Sequence, residues 1–143
     1  MRILSIDYGD TRVGTAVSDA LGITAQGLET ITHNGNDKIL LKKLDEIFAK
    51  YPDIDTIVVG MPLNMDGTAT IRAEVTEKFI HKLKCKYNKL KIDTIDERLT
   101  TVSSQKTLNF LDVKASKKKQ VEDTLAAVYI LETYMNRLKN RKE

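Results

Sequence analysis

The sequence predicts an α/β protein with a five-stranded mixed sheet, in which three antiparallel strands are followed by βαβ units and helices flank the sheet. Three observations predict this fold class. Short apolar runs bounded by turn-forming residues recur at strand length. The first two runs are joined by a turn too short for a crossover, so they pair antiparallel. The later runs alternate with apolar residues at helical spacing, which favours parallel βαβ units.

Three strands are predicted near the N-terminus. Residues 3–8 form a short apolar run that ends at Gly9, which is typical of a buried strand. Residues 13–18 form a second strand, paired with the first through the turn of residues 9–12. Residues 27–32 form a third strand. Together they predict an antiparallel meander.

A helix and the most strand-like segment of the chain follow. Residues 37–51 carry apolar side chains at helical spacing, and either Asn34 or Asn36 can serve as the N-cap. Residues 54–60 contain consecutive β-branched apolar side chains and predict the fourth strand. Residues 61–70, with a proline and an Asp-Gly pair, predict a loop.

The C-terminal half continues the alternation. A second helix is marked by apolar residues at helical spacing, namely Ile71, Val75, Phe79 and Leu83. Residues 90–95 predict the fifth strand, and residues 99–111 a weaker helix because of their threonines and serines. A long last helix is predicted over residues 121–138, and the last few residues are expected to form a disordered basic tail.

Composition excludes several classes of protein. A length of 143 residues suits one domain, predicted to span residues 1–143, and 41% hydrophobic with 30% charged residues indicates a folded chain. The single cysteine excludes an internal disulfide, and two histidines make a Cys/His zinc cluster implausible. No apolar run approaches the roughly 20 residues of a membrane span. Asp7 interrupts any signal-peptide core, so a cytoplasmic protein is expected.

The net charge of +3 is unevenly placed. Residues 112–143 hold 8 basic and 5 acidic side chains, which accounts for the whole excess. Lysines concentrate in residues 82–91 and in Lys114 with residues 117–119. Such clusters attract nucleic-acid phosphate, but runs of like charge also serve simply as solvated surface. Both interpretations stay open for each cluster.

Three acids are candidates for chemistry because the predicted sheet brings them towards the carboxyl ends of strands, where ligand sites lie. Asp7 lies in an apolar strand, where a carboxylate needs a hydrogen-bond network or a cation. Glu97 closes the fifth strand, and Asp123 is predicted in the first turn of the last helix, where Ala126 and Ala127 would let that helix approach the sheet. Such carboxylates suit Mg²⁺ or Mn²⁺ rather than zinc, and paired metals of this kind promote phosphodiester cleavage.

Each acid also has a purely structural explanation. Asp7 could accept hydrogen bonds from backbone groups at a strand end. Glu97 could form a surface ion pair with Arg98 or Arg12. Asp123 could be an acid favoured by the macrodipole at a helix N-terminus.

The turn of residues 9–12 offers backbone N–H groups and the Arg12 guanidinium close to Asp7. Arg12 could hold a phosphate through two hydrogen bonds, or the turn could serve only to join two strands. Asp-x-Gly followed by Thr also opens the phosphate-binding hairpin of the actin and sugar-kinase superfamily. Those proteins need two such domains around a cleft, and the length of this chain argues against them.

Four segments together resemble the YqgF/RuvX family. They are Asp7–Asp19, Val58–Thr68, Asp96–Thr101 and Asp123–Glu132, and they occur in family order from residue 1 to about residue 135. The resemblance implies an RNase H-like fold and a metal-dependent nuclease. The family is described as a Holliday-junction resolvase by analogy with RuvC, and it is associated with maturation of the 5′ end of pre-16S rRNA.

The resemblance also implies roles for individual residues. Asp7, Glu97 and Asp123 match the catalytic acids and would hold Mg²⁺ or Mn²⁺. The candidates for substrate binding are Asn64, Arg98, Arg12, Lys117, Lys118 and Lys119. Arg98 could instead form a structural ion pair, and the loop of Asn64 could serve only to support the neighbouring strand ends. Expected partners are pre-16S rRNA or branched DNA and ribosomal precursor particles, with the chain a monomer or a weak homodimer. A nucleic-acid-binding assembly factor with little catalysis is the alternative from another functional class.

One position departs from the family pattern, since Glu122 precedes Asp123 where an apolar residue is more usual. Neighbouring residues on a helix diverge by about 100°, so the two acids cannot both face the strand ends. Ala126 and Ala127 follow one turn after Asp123 and mark the close-packed face. We therefore expect Asp123, not Glu122, to face the sheet.

Overall fold

The structure is a computed structural model that describes residues 2–62, 70–96 and 115–142. Its strands are β1 Arg2–Tyr8, β2 Arg12–Ser18, β3 Ala25–Gly27, β4 Ile31–Thr32, β5 Ile54–Met61 and β6 Lys91–Asp96. Its helices are α1 Asp37–Lys50, α2 Ile71–Lys86 and α3 Ala115–Lys142. The helix predicted over residues 99–111 lies outside the described residues.

The strands form one mixed sheet in the order β3-β2-β1-β5-β6, and β4 pairs with β2 off this path. Strands β1 and β2 are antiparallel, whereas β1, β5 and β6 run parallel to one another. The predicted α/β class and the mixed sheet are therefore confirmed. The parallel arrangement places the carboxyl ends of β1, β5 and β6 at one side of the sheet, which we call the carboxyl edge.

The predicted third strand over residues 27–32 is wrong in detail, because two short strands, β3 and β4, take its place. Both pair antiparallel with β2, so within the described residues the sheet has six strands rather than five. Between β3 and β4, side-chain hydroxyl groups bind backbone carbonyls and the strand pairing with β2 is interrupted. The Thr15 hydroxyl donates to the Glu29 carbonyl at 3.0 Å, and the Thr124 hydroxyl donates to the Leu28 carbonyl at 3.3 Å. Side chains thus satisfy backbone groups that a continuous strand would have paired.

The two shorter helices begin at side-chain caps. Asn36 accepts a hydrogen bond from the Lys38 N–H, so Asn36 rather than Asn34 is the N-cap of α1. Thr70 caps α2 by accepting from the Ala73 N–H at 2.9 Å. These caps agree with the predicted starts of both helices.

The third helix is longer than the sequence pattern predicts, since α3 spans 28 residues. It begins at Ala115 instead of residue 121, so Asp123 lies in its third turn and residues 117–119 lie inside the helix rather than before it. It also extends to Lys142, so the expected disordered tail is helical as far as that residue. Polar residues with good helix propensity continue α3 beyond its apolar stripe at both ends, and such residues give no periodic signal.

The sheet buries one hydrophobic cluster on each face. One cluster packs beneath α1 and α2 and includes Leu4, Ile6 and Tyr8 of β1. The other packs beneath α3 and includes Ile3 of β1, together with Ala127 and Leu131 of the helix. Alternate residues of β1 therefore face opposite layers, as a strand covered on both faces requires. No helix in the described part of the chain is long and apolar enough to cross a membrane.

Candidate active site at the carboxyl edge

Asp7 lies on the face of the sheet that α3 covers. It is the penultimate residue of β1, is half-buried, and pairs directly with Gly14 of β2. Opposed residues of an antiparallel pair point to the same face. Ser5, one alternation earlier on β1, confirms which face this is, because its hydroxyl donates to the Ala127 carbonyl of α3 at 2.6 Å.

Helix α3 contacts the sheet closely at Asp123. A Cβ atom added to Gly14 would lie 1.9 Å from the Asp123 carbonyl oxygen, so the helix backbone rests where a side chain would otherwise stand. Because Gly14 pairs with Asp7, this contact brings the backbone of Asp123 over the strand pair that carries Asp7. Two acids separated by more than a hundred residues of sequence are thereby brought to one region of the carboxyl edge.

The side chain of Asp123 is held by Arg12. The Arg12 Nε–H donates to Asp123 Oδ2 at 2.9 Å, and the two side chains are 32% and 22% exposed. Arg12 is the first residue of β2 and lies on the same face as Gly14. The structure therefore pairs Arg12 with Asp123. The surface ion pair of Glu97 with Arg98 or Arg12 stays a prediction, because Glu97 lies outside the described residues.

The macrodipole explanation of Asp123 is wrong. That effect fades beyond the first helical turn, and Asp123 lies in the third turn of α3. Its immediate surroundings, the Arg12 guanidinium and the close approach to Gly14, account for its position instead.

Several predicted site residues lie outside the described residues. These are Asn64, Glu97 and Arg98. Glu97 follows Asp96, which is the last residue of β6 and pairs with Met61 at the carboxyl edge. Lys117, Lys118 and Lys119 belong to the first turns of α3, and the description there covers the backbone alone.

The donor chemistry of this site fits a hard divalent cation. Asp7 and Asp123 supply carboxylate oxygens, which are the ligands that Mg²⁺ and Mn²⁺ prefer. Among residues 2–62, 70–96 and 115–142 no three acidic, histidine or cysteine side chains form a group that could hold a metal ion. A third carboxylate would have to come from beyond those ranges, and Glu97 is the candidate that the sequence supplies.

His33, which is not among the site residues predicted from the sequence, is a structural part of the site. It is fully buried, and its Nε2–H donates to the Gly9 carbonyl at 2.7 Å. The backbone N–H groups of His33 and Asn34 both donate to the Thr11 carbonyl, at 2.9 and 3.1 Å. These hydrogen bonds from His33 and Asn34 hold the turn between Asp7 and Arg12 in place. Alternation with buried Ile31 was the one sequence signal for this burial.

Arg72 is a basic residue of the carboxyl edge that the sequence analysis missed. It lies in the first turn of α2, is exposed, and its Nη2 group donates to the Tyr8 carbonyl at 3.4 Å. A single arginine after a loop carries no distinctive spacing, so the sequence alone did not separate it from other surface charges.

Tyr8 packs in the hydrophobic core beneath α1 and α2. Its ring stacks on Phe79 with centroids 4.2 Å apart, and its hydroxyl donates to Asp37 Oδ1 at 2.8 Å. Burial, and then the hydrogen bond to Asp37, raise the pKa of the Tyr8 hydroxyl. Burial works against ionisation of Asp37, but hydrogen bonds from Lys82 and Tyr8 outweigh it and lower the pKa of Asp37.

The lysine cluster of residues 82–91 is partly a set of ion pairs between helices. Lys82 pairs with Asp37 at 2.7 Å and Lys86 pairs with Asp45 at 2.8 Å. Both pairs join α2 to α1, which cover the face of the sheet opposite to the one that Asp7 shares with α3. These contacts favour a structural role for this cluster over phosphate binding.

Comparison with known proteins shows extensive similarity. Residues 1–137 match the family model described as RuvX, Holliday junction resolvase. A relative from Acetivibrio thermocellus, provisionally named pre-16S rRNA nuclease, is 47% identical over 136 residues, which cover 95% of this chain and 96% of the relative. A relative of the same name from Ruminiclostridium cellulolyticum is 49% identical over 143 residues, which cover 100% of this chain and 99% of the relative.

Solved structures show the same fold at low sequence identity. The Fowlpox virus resolvase in complex with Holliday junction DNA superposes with a TM-score of 0.59 at 13% identity, covering 96% of this chain and 99% of that one. RuvC of T. thermophilus with a Holliday junction substrate superposes with a TM-score of 0.55 at 11% identity, covering 96% of each chain. The RNase H-like fold implied by the sequence resemblance is therefore confirmed.

Proposed function

Because this chain belongs to the RuvX Holliday junction resolvase family, we propose that it is a metal-dependent endonuclease that hydrolyses phosphodiester bonds in nucleic acid. Its curated relatives carry the name of a nuclease and match it over nearly the whole chain, which supports the reaction class. The proposal concerns the metal, the residues that hold it and the substrate.

The observation that carries the proposal is the contact of α3 with Gly14. This contact brings Asp123 to the strand pair that bears Asp7, at the edge of the sheet where ligand sites of α/β folds lie. Arg12 already balances part of the charge of Asp123, at 2.9 Å, and Asp7 lies half-buried on the neighbouring strand. Carboxylate oxygens brought to one edge in this way are the ligands that a hard divalent cation prefers.

We assign metal binding to Asp7, Asp123 and Glu97. The chemistry that Mg²⁺ or Mn²⁺ supplies when bound is activation of a water molecule and stabilisation of the leaving oxygen. The protein would hold the scissile phosphate with Arg12 and Arg98, and the flanking backbone with the lysines of residues 117–119 and with Asn64. Arginine suits this task because its planar guanidinium matches two phosphate oxygens at once.

The proposed substrate is the 5′ end of pre-16S rRNA, within ribosomal precursor particles in the cytoplasm. The names of the relatives at 47% and 49% identity support this choice. Branched DNA is the second candidate, supported by the description of the matching family as a Holliday junction resolvase. A weak homodimer would suit junction cleavage, which needs two symmetric cuts, whereas RNA trimming needs only a monomer.

A side-by-side cleavage assay tests the proposal. Wild-type protein is incubated with a pre-16S rRNA 5′ fragment and with a four-way DNA junction, each with Mg²⁺, with Mn²⁺ and with EDTA. We expect metal-dependent cleavage, with RNA cut faster than the junction. A faster cut of the junction would favour the second substrate, and no cleavage of either would favour the non-catalytic assembly factor.

The Asp7→Asn variant tests the catalytic assignment, because it keeps the shape of the side chain and removes a charge that the metal needs. We expect cleavage to fall by about 100-fold or more, in line with the loss of a metal ligand. Asp53→Asn is the matched control, since Asp53 pairs with Arg2 at 2.8 Å at the opposite edge of the sheet. Wild-type cleavage by a folded Asp7→Asn protein would refute the assignment.

A further inference from the structure

Arg12 and Asp123 form an ion pair, although in the proposed function each of them binds a different ligand. Arg12 Nε lies 2.9 Å from Asp123 Oδ2, and the interaction bridges the start of β2 and the third turn of α3. Asp123 is assigned to the metal and Arg12 to the substrate phosphate. In the described arrangement the two side chains bind each other instead.

A divalent cation and the Arg12 guanidinium would compete for the same carboxylate. Both are positive, and Asp123 Oδ2 already accepts the Arg12 Nε–H. A metal ion within a few ångströms of the guanidinium would repel it, most strongly where water is partly excluded. The side chains are 32% and 22% exposed, so solvent screens this repulsion only in part.

The backbone of the Arg12 turn does not depend on this ion pair. His33 Nε2–H donates to the Gly9 carbonyl at 2.7 Å, and two backbone N–H groups donate to the Thr11 carbonyl. The turn that carries Arg12 is therefore held by His33 and Asn34. The Arg12 guanidinium can leave Asp123 by rotation of its own side chain, without a change in the backbone of the turn.

We propose that Arg12 is a positioning residue that occupies Asp123 in the metal-free protein and leaves it when a divalent cation binds. The freed guanidinium then faces the substrate phosphate, so the site acquires its phosphate-binding charge only when it is loaded with metal. This inference rests on the proposed metal-dependent function. It adds an order of events, in which metal binding precedes productive binding of nucleic acid.

Titration of the full chain with Mn²⁺ in the absence of nucleic acid tests the exchange. We compare the Mn²⁺ affinity of wild type and Arg12→Gln by calorimetry and by electron paramagnetic resonance. Removal of the competing cation should tighten Mn²⁺ binding by about threefold to tenfold, the range expected for a partly exposed charge pair. Arg2→Gln is the matched control, because Arg2 forms the same kind of pair with Asp53 at 2.8 Å at the opposite edge. Its Mn²⁺ affinity should stay within about twofold of wild type.

A second measurement follows the guanidinium directly. The Arg12 Nε–H resonance of labelled wild-type protein should shift on addition of Mg²⁺, as its carboxylate acceptor is lost. The Arg2 Nε–H resonance should not move.

An unchanged or weaker Mn²⁺ affinity in Arg12→Gln would overturn the inference and show that Arg12 supports the metal-binding position of Asp123. An Arg12 Nε–H resonance that Mg²⁺ does not shift would overturn it as well. Wild-type cleavage is measured separately. If wild type cleaves with metal but Arg12→Gln does not bind Mn²⁺ more tightly, only this inference fails. If wild type neither binds Mn²⁺ nor cleaves, the proposed function fails with it.

Discussion

Replacement of Gly14 by alanine perturbs the contact that brings α3 to the Asp7 strand. The added Cβ would lie 1.9 Å from the Asp123 carbonyl oxygen and 2.5 Å from its carbonyl carbon. Gly14 is not among the glycines with positive φ, which are Gly22 and Gly35 in the described residues, so alanine suits its backbone conformation. The effect of the substitution would therefore arise from the contact with α3 and not from strain at residue 14.

The size of the effect follows from the overlap. Helix backbone must retreat by roughly 1 Å or more to restore an ordinary contact, because the obstructing atoms are main-chain atoms that cannot rotate away. Overpacking of this kind costs about 1–3 kcal/mol, which corresponds to roughly 3–12 °C in the melting temperature of a domain of this size. A displacement of about 1 Å in a catalytic group can reduce turnover by about 100-fold.

The assay compares Gly14→Ala with Gly27→Ala. At Gly27 the nearest atom to an added Cβ is the Thr124 Cγ2 methyl at 2.5 Å, on the same helix and one residue from Asp123. A side chain can adjust where a backbone cannot, so Gly27→Ala should lose less cleavage. Thermal unfolding and metal-dependent cleavage are measured for both variants at a temperature where each is fully folded.

Two results would refute this reasoning. A Gly14→Ala protein with wild-type stability would show that α3 does not press on Gly14. A folded Gly14→Ala protein with wild-type cleavage would show that the placement of Asp123 by this contact has no part in catalysis. An equal loss of cleavage in Gly14→Ala and Gly27→Ala would indicate that both substitutions weaken the packing of α3 on the sheet in general.

Three further predictions concern charge. The pKa of Asp37 is lower in the folded protein, so its carboxylate stabilises the fold above the unfolded-state pKa near 3.9, and this stabilisation is lost as pH falls through the lower folded pKa. Asp37→Asn should therefore lower the free energy of unfolding, measured by urea titration, by about 1 kcal/mol at pH 7 and by much less below about pH 3. Asp123→Asn should abolish metal-dependent cleavage, whereas Glu122→Gln should leave it near wild type, and the reverse result would mean that the wrong acid faces the sheet. Changing residues 117–119 together to glutamine should reduce the slope of the logarithm of the duplex-binding constant against the logarithm of salt concentration by roughly 2–3, near 0.9 per phosphate contact. An unchanged slope would identify the cluster as solvated surface.

The sequence was sufficient to predict most of the elements, because their signals are local. The apolar run of residues 54–60 predicted a buried strand, and β5 extends it by one residue to Met61. The helical spacing of residues 37–51 predicted α1, whose C-cap is Tyr51. Hydrophobic periodicity depends on neighbours within a few residues, so it can be recognised without knowledge of the tertiary fold.

Elements without periodic apolar residues were predicted less well. The first turns of α3 are rich in lysine and show no apolar stripe, so the helix was expected to begin six residues too late. The interruption between β3 and β4 depends on hydroxyl groups of Thr15 and Thr124, which belong to other elements. Sequence pattern carries no information on hydrogen bonds between segments so far apart.

For the site, the sequence determined which residues could carry chemistry, and the tertiary structure decided how they meet. Asp7 was recognisable because a carboxylate in an apolar strand needs a partner. The ion pair of Arg12 with Asp123, and the burial of His33 beneath the turn, appear only when β2, α3 and the segment after β4 pack together. Chemical identity is a property of each residue, whereas proximity between distant residues arises from packing across the sheet. That is why the sequence could name the two acids, and only the fold could show that Gly14 brings them together.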